Sequence, residues 1–147
     1  MKKIRRVAIG IVFRNFPDEI KFLLLRRKQG WKGWEFPKGG IEQGETNKEA
    51  VIREVHEETG LKRIKFLKRV GKPIKYNYPK ESRERFGSYG TVQKAFLVKA
   101  ITTNVNVEKE SFSGYGWFTA KEALKSLRWY NQRTLLRSVL KAGIAKK

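Results

Sequence analysis

From Gly39 to Leu61 the chain reads GGIEQGETNKEAVIREVHEETGL, and no other stretch restricts its folding so tightly. The segment carries Glu42, Glu45, Glu49, Glu54, Glu57 and Glu58. With Glu35 just upstream, it holds seven of the 14 acidic residues of a protein whose formal net charge is +20. Its second half predicts a helix. Thr46 is a suitable N-cap, Glu49 three residues on completes a capping box, and Gly60 is placed to end the helix in a left-handed turn. Ala50, Val51, Ile52 and Val55 supply the face that such a helix buries. Glu54, Glu57 and Glu58 then stand at i, i+3 and i+4 and project as neighbours. Three like charges that close repel one another, so helix stability does not explain them. A divalent cation does. Carboxylates on a rigid element suit magnesium, which keeps several waters and shares its shell with substrate phosphates.

Residues 36–45 read as a loop. Gly39, Gly40 and Gly44 allow it to fold back on the helix and aim carbonyls or amides at the same centre. Arg53 is placed to pair with a loop glutamate such as Glu45.

The stretch resembles the Nudix box, whose pattern is Gly, five residues, Glu, seven residues, then Arg-Glu-apolar-x-Glu-Glu-x-Gly-apolar. Gly39, Glu45, Arg53, Glu54, Val55, Glu57, Glu58, Gly60 and Leu61 fill it without departure. The resemblance implies an α/β (α+β) fold, the Nudix α/β/α sandwich with a mixed sheet between helices. It implies a hydrolase of nucleoside diphosphates linked to a further group, dependent on Mg2+ or Mn2+. Glu54, Glu57 and Glu58 are then metal ligands and catalytic residues, and Gly39, Glu45, Arg53 and Gly60 shape the box. Which glutamate acts as base stays open between Glu57 and Glu54.

The run from Trp34 to Gly40 (WEFPKGG) is similar to the diadenosine tetraphosphate hydrolase and RNA pyrophosphohydrolase branches of that family. The Lys38 carbonyl is a candidate for the metal shell and its ammonium for a phosphate. Basic residues at the end of the second strand, Arg26 or Arg27, face substrate phosphates in family members. A Tyr-x-x-Pro segment, here Tyr76 to Pro79, lies near the nucleobase in those branches, which makes Tyr76 and Tyr78 candidates for stacking. The same branches place a glutamate just before a Phe-x-Gly-aromatic-x-Trp pattern. This chain has Ser111 there, with Glu110 one residue earlier as a substitute ligand or base.

The remaining chain sets bounds. With 147 residues, it reads as a single domain over 1–147. No apolar run is long enough for a membrane span. Cysteine is absent, which fits a reducing cytoplasm. An excess of 20 positive charges attracts polyanions, nucleic acid first among them. Strands are expected at Arg6–Phe13 and Ile20–Leu25, forming a hairpin across Asn15–Asp18. Trp31–Lys38 leads into the loop, with Trp34 and Phe36 packed under it. Another strand is expected from Ile64 to Tyr76, interrupted at Gly71 and Pro73, then a polar loop at Glu81–Gly90 and a central strand at Thr91–Ile101. Helices are expected at Ala120–Leu127 and Asn131–Ala142. His56 falls at a variable position and reads as a solvent-facing spectator. The resemblance to those two branches implies dinucleoside polyphosphates or the 5′ triphosphate end of RNA as substrates. A MutT-like nucleoside triphosphate pyrophosphatase and a non-catalytic RNA-binding module are the alternatives.

Overall fold

The computed structural model describes residues 3–28 and 33–144; Trp31 and Lys32 lie outside the described residues. The chain runs β1 (Ile4–Asn15), β2 (Ile20–Arg27), β3 (Trp34–Glu35), β4 (Lys38–Gly40), α1 (Asn47–Thr59), β5 (Ile64–Asn77), α2 (Lys80–Phe86), β6 (Gly90–Ala100), β7 (Phe112–Thr119), α3 (Ala120–Ser126) and α4 (Tyr130–Ala142).

β1 is buried without a break from Val7 to Phe13. A strand that is apolar on both faces needs cover on both. It pairs antiparallel with β2 through Phe13 and Phe22, antiparallel with β4 through Val7–Ile9, and parallel with β6 along most of its length. The result is a mixed seven-stranded sheet with main order β3-β2-β1-β6-β5, with β4 joined to β1 and β7 to β2. Ile9, Ile11, Phe13, Phe22, Leu24 and Leu97 face α3 and α4 and pack on Leu127, Leu135, Leu136 and Val139. Ala8, Val12, Leu23, Leu25, Phe96 and Val98 face the other way, onto Ala50, Val51 and Val55 of α1. Alternation along the strands thus builds two cores, and the expected α/β/α sandwich is what forms.

The hairpin, the later strands and the last two helices lie close to their expected positions. Three expectations change. The stretch read as a loop over residues 36–45 contains the short strand β4, Lys38–Gly40, paired antiparallel with β1 through Val7–Ile9. Gly71 and Pro73 do not break the fifth strand. They are absorbed in a register shift between Val70 and Ile74, with Gly71 at φ 63°, and pairing to β6 continues to Asn77. The polar stretch after Pro79 is not a loop over Glu81–Gly90. Lys80–Phe86 is the helix α2, opened by Pro79 and closed by Gly87 at φ 66°. None of its residues is buried, so it has no apolar face to betray it. Pro79 and Gly87 were the signals that mark such a helix.

α1 has the expected ends. Thr46 Oγ1 accepts from the Glu49 N–H at 3.1 Å, the Glu49 carboxylate accepts from the Thr46 N–H at 2.9 Å, and Gly60 closes the helix at φ 72°. Thr46→Ala is expected to cost about 1 kcal/mol of stability in urea unfolding, with the slope of the transition unchanged.

Candidate active site

β4 and α1 build the site together. The antiparallel pairing hydrogen-bonds Gly10 to Pro37 and Arg6 to Ile41, with N–H to O distances of 2.8 Å in each case. Alternation in such a ladder turns the backbone of Lys38 and Gly40 away from β1. There the Lys38 N–H donates to Glu58 Oε1 at 3.0 Å, and the Gly40 carbonyl accepts from Arg53 Nη2 at 2.8 Å. A side chain on Gly39 would lie inside the Glu54 carboxyl group. Gly39 is therefore required for close approach of loop and helix.

Arg53 organises the acidic residues. Its Nε and Nη2 donate to Glu45 at 2.6 and 2.9 Å, and its Nη1 donates to Glu54 at 2.7 Å and reaches Glu57 at 3.3 Å. Glu42, 3.6 Å from Nε, joins them. The hydrogen bonds from Arg53 hold the Glu45 carboxyl down at about 2. The expected Arg53–Glu45 pair is present and extends to a network.

A cleft of about 470 Å³ opens above these groups, lined by Arg5, Val7, Arg27, Lys38, Gly39, Gly40, Glu54, Glu58 and Gln93. Burial pushes the Glu58 carboxyl up to about 8 and raises that of Glu54. Glu35 is fully buried, which raises its carboxyl as well. It accepts from Arg27 at 2.8 Å and lies 3.7 Å from the Lys38 ammonium, and its Oε1 makes no hydrogen bond among the described residues. Phe36 is buried and donates its N–H to Gln132 of α4 at 3.0 Å, while Trp34 packs edge-on against Phe118, 4.8 Å between centroids. Both aromatic residues support the loop, as expected.

The structure divides the remaining candidates. Arg27 lines the cleft, whereas Arg26 is exposed and points to the other side of β2. Tyr76 and Tyr78 line a second cleft of about 620 Å³ with Phe86, Trp129 and Tyr130. Arg5, Lys38 and Gln93 border both clefts. Glu110 is exposed and borders none of the clefts described. Its turn is held by Glu108, which accepts from the Glu110 N–H and, at 2.9 Å, from Ser111 Oγ. His56 is exposed, with a ring nitrogen 3.2 Å from the Lys62 carbonyl. Arg5, Gln93 and Glu35 were missed as site residues. Only the pairing of β1 with β6 brings Arg5 and Gln93 to the cleft, whereas WEFPK already set Glu35 between two bulky apolar residues.

The sequence matches the NUDIX domain family over residues 4–139. This chain belongs to the Nudix family. With that family it is a pyrophosphohydrolase acting on phosphoric anhydride bonds. It is 29% identical to the RNA pyrophosphohydrolase of Nitratiruptor sp. over 138 residues, covering 91% of this chain and 88% of that protein. It is 34% identical to the RNA pyrophosphohydrolase of Helicobacter pylori over 131 residues, covering 86% and 84%. Among solved structures, the Ap4A hydrolase of C. elegans in a binary complex superposes with a TM-score of 0.77 at 22% identity, covering 95% of this chain and 96% of that one. No helix of the described residues is long and apolar enough to cross a membrane.

Nudix hydrolases generally use divalent metals such as Mg2+. The donors here fit such an ion. Glu54 and Glu58 supply hard oxygens on one wall of the cleft, Glu58 has its charge disfavoured by burial, and the buried Glu35 Oε1 has no hydrogen-bond donor among the described residues. Among the described residues no three acidic side chains converge as one shell in the positions seen. Glu57 instead lies exposed against Arg53.

Two measurements check this geometry. Gly39→Ala is expected to displace Glu54 and abolish most activity while leaving the unfolding midpoint near wild type. Glu45 is held low in the folded state, so its stabilisation is complete above the ordinary carboxylate value of about 4.5 and is lost as pH falls toward about 2. Acid unfolding of Glu45→Gln is therefore expected to lose stability less steeply than wild type across that window.

Proposed function

We propose that the protein removes phosphate from the 5′ triphosphate end of RNA, with Mg2+ or Mn2+ held by Glu54, Glu57 and Glu58 and by the Lys38 carbonyl. The observation that carries this reading is the junction of the two clefts. An acidic cleft and an aromatic one share Arg5, Lys38 and Gln93. A polyphosphate and the base attached to it can thus be held side by side. The names of the relatives from Nitratiruptor and Helicobacter agree with it.

The bound cation supplies Lewis-acid charge and a more acidic water. The chain's own residues do the positioning. Arg5, Arg27 and the Lys38 ammonium bind phosphate oxygens, and the Lys38 N–H fixes the rotamer of Glu58. Arg53 fixes Glu54 on the cleft wall and engages the exposed Glu57 beside it, so Glu57 has to turn from Arg53 to reach the same ion. Fixed charges aimed at the transferred group carry most of the rate, as electrostatic preorganisation does for phosphoryl chemistry. Tyr76 and Tyr78, 5.7 Å apart edge to face, offer rings to the first base. The whole chain acts as one catalytic domain.

A dinucleoside polyphosphate is the second reading, favoured by aromatic side chains that enter the larger cleft from α4 as well as from β5. The deciding experiment is turnover of triphosphorylated RNA, diadenosine tetraphosphate and the common nucleoside triphosphates, with and without Mg2+. The expected result is metal-dependent release of phosphate or pyrophosphate, fastest from RNA. Preference for nucleoside triphosphates points to a MutT-like enzyme, and binding of RNA without turnover points to a non-catalytic module; either outcome rejects the proposal. Glu57→Gln and Glu58→Gln are each expected to lose about 100-fold or more in kcat with an unchanged circular dichroism spectrum.

A further inference from the structure

The catalytic cleft uses few of the 34 Lys and Arg residues, and the large positive charge has no part in the chemistry derived above. The α1 side of the sheet shows where some of it is organised. α1 covers Ala8, Val12, Phe96 and Val98, but the sheet continues beyond the helix. On that continuation Arg6 of β1 is opposite Val92 of β6, and Val92 is opposite Lys75 of β5. Facing positions on neighbouring strands share a side of the sheet, which puts Arg6 and Lys75 roughly 10 Å apart. Lys94, two residues along β6, shares the same side. Like charges on adjoining strands cost stability. None of these three cations has a carboxylate within ion-pair distance among the described residues.

Between Arg6 and Lys94 the surface is concave and apolar at its floor, with Lys75 beside it on the next strand. A depression of about 270 Å³ is lined by Ile4, Arg6, Ile41, Val92 and Lys94. It adjoins a second one of about 320 Å³ through Ile4, Arg6 and Ile41. That second depression adjoins the catalytic cleft through Arg5 and Gly40. The path rounds the start of β1, with Glu42 on its rim already engaged by Arg53.

We infer that this groove binds the single-stranded RNA body that follows the 5′ end, with Arg6, Lys75 and Lys94 on phosphates and Ile4, Ile41 and Val92 under the bases. The inference rests on the RNA reading of the catalytic cleft and extends the site to the opposite face of the sheet. Charge complementarity selects a polyanion. Continuity with the cleft selects one whose end is the substrate, and an apolar floor between cations suits stacked bases rather than a carboxylate-rich peptide.

The test separates binding from turnover. Affinity for a labelled single-stranded RNA with a 5′ hydroxyl, which has no phosphate to release, is measured against salt concentration. The triple variant Arg6→Ala, Lys75→Ala, Lys94→Ala is expected to lower the slope of log Kd against log salt by about 2, since each phosphate contact on a single strand contributes about 0.7. The double variant Arg6→Ala, Lys75→Ala changes only exposed side chains and is expected to lower it by about 1.4. A charge-matched triple on the opposite face, Lys121→Ala, Lys125→Ala, Arg137→Ala, is expected to leave the slope unchanged. With triphosphorylated RNA the groove variants raise KM at constant kcat, and with diadenosine tetraphosphate they change neither. An equal loss of slope in the opposite-face triple overturns the inference, as does no loss in the groove variants. Displacement of the RNA by polyglutamate at equal charge concentration also overturns it, in favour of an acidic protein. Absence of turnover with these slopes intact rejects the function proposed above and leaves the groove standing.

Discussion

Arg53 resolves the conflict on which this structure depends. A helix that carries Glu54, Glu57 and Glu58 within little more than one turn is opposed by its own charge. The single guanidinium reaches Glu54, Glu57 and Glu45 at once and also holds the Gly40 carbonyl. It thereby neutralises part of the repulsion and fastens loop to helix. A lysine, with one compact charge and no planar fork, cannot make this set of bonds. The fastening brings the Lys38 N–H to Glu58 and leaves Gly39 against Glu54, so the geometry of the acidic wall depends on it.

Burial then gives the carboxylates different characters. Glu45 is exposed to its cation and held acidic, while Glu58 lies deep enough that its charge is disfavoured. Glu35 sits deeper still, between Arg27 and the Lys38 ammonium. Cationic residues at the top of the cleft and acidic ones on its wall form a site that suits phosphates bridged to a hard cation. The aromatic cleft beside it depends on a different part of the fold, the ends of β5 and α4, joined to the first by Arg5 and Gln93.

The box residues were legible because their roles are local. A capping box, a left-handed glycine and carboxylates at helical spacing are fixed within a few residues, and so is the Arg53–Glu45 pair. The strands β1 and β2 were equally plain, since burial on both faces leaves a continuous apolar run. α2 was not legible as a helix because it buries nothing and so has no periodic apolar face. The choice between Arg26 and Arg27 was open for a related reason. Adjacent residues on a strand face opposite sides, and only the register with β3 and β7 says which side is the cleft.

The amino-acid order alone determined the helix α1, its caps, the grouping of its glutamates and the family to which the chain belongs, because each is written in neighbouring residues. The tertiary structure decided which distant groups meet that helix. Parallel pairing of β1 with β6 puts Arg5 beside Thr91 and, two residues on, Val7 beside Gln93, more than eighty positions away along the chain. It also decided that Arg6 and Lys75 share a face. Contacts between residues so far apart follow from strand order and register, which are set by the packing of the whole sheet and not by any local run of side chains.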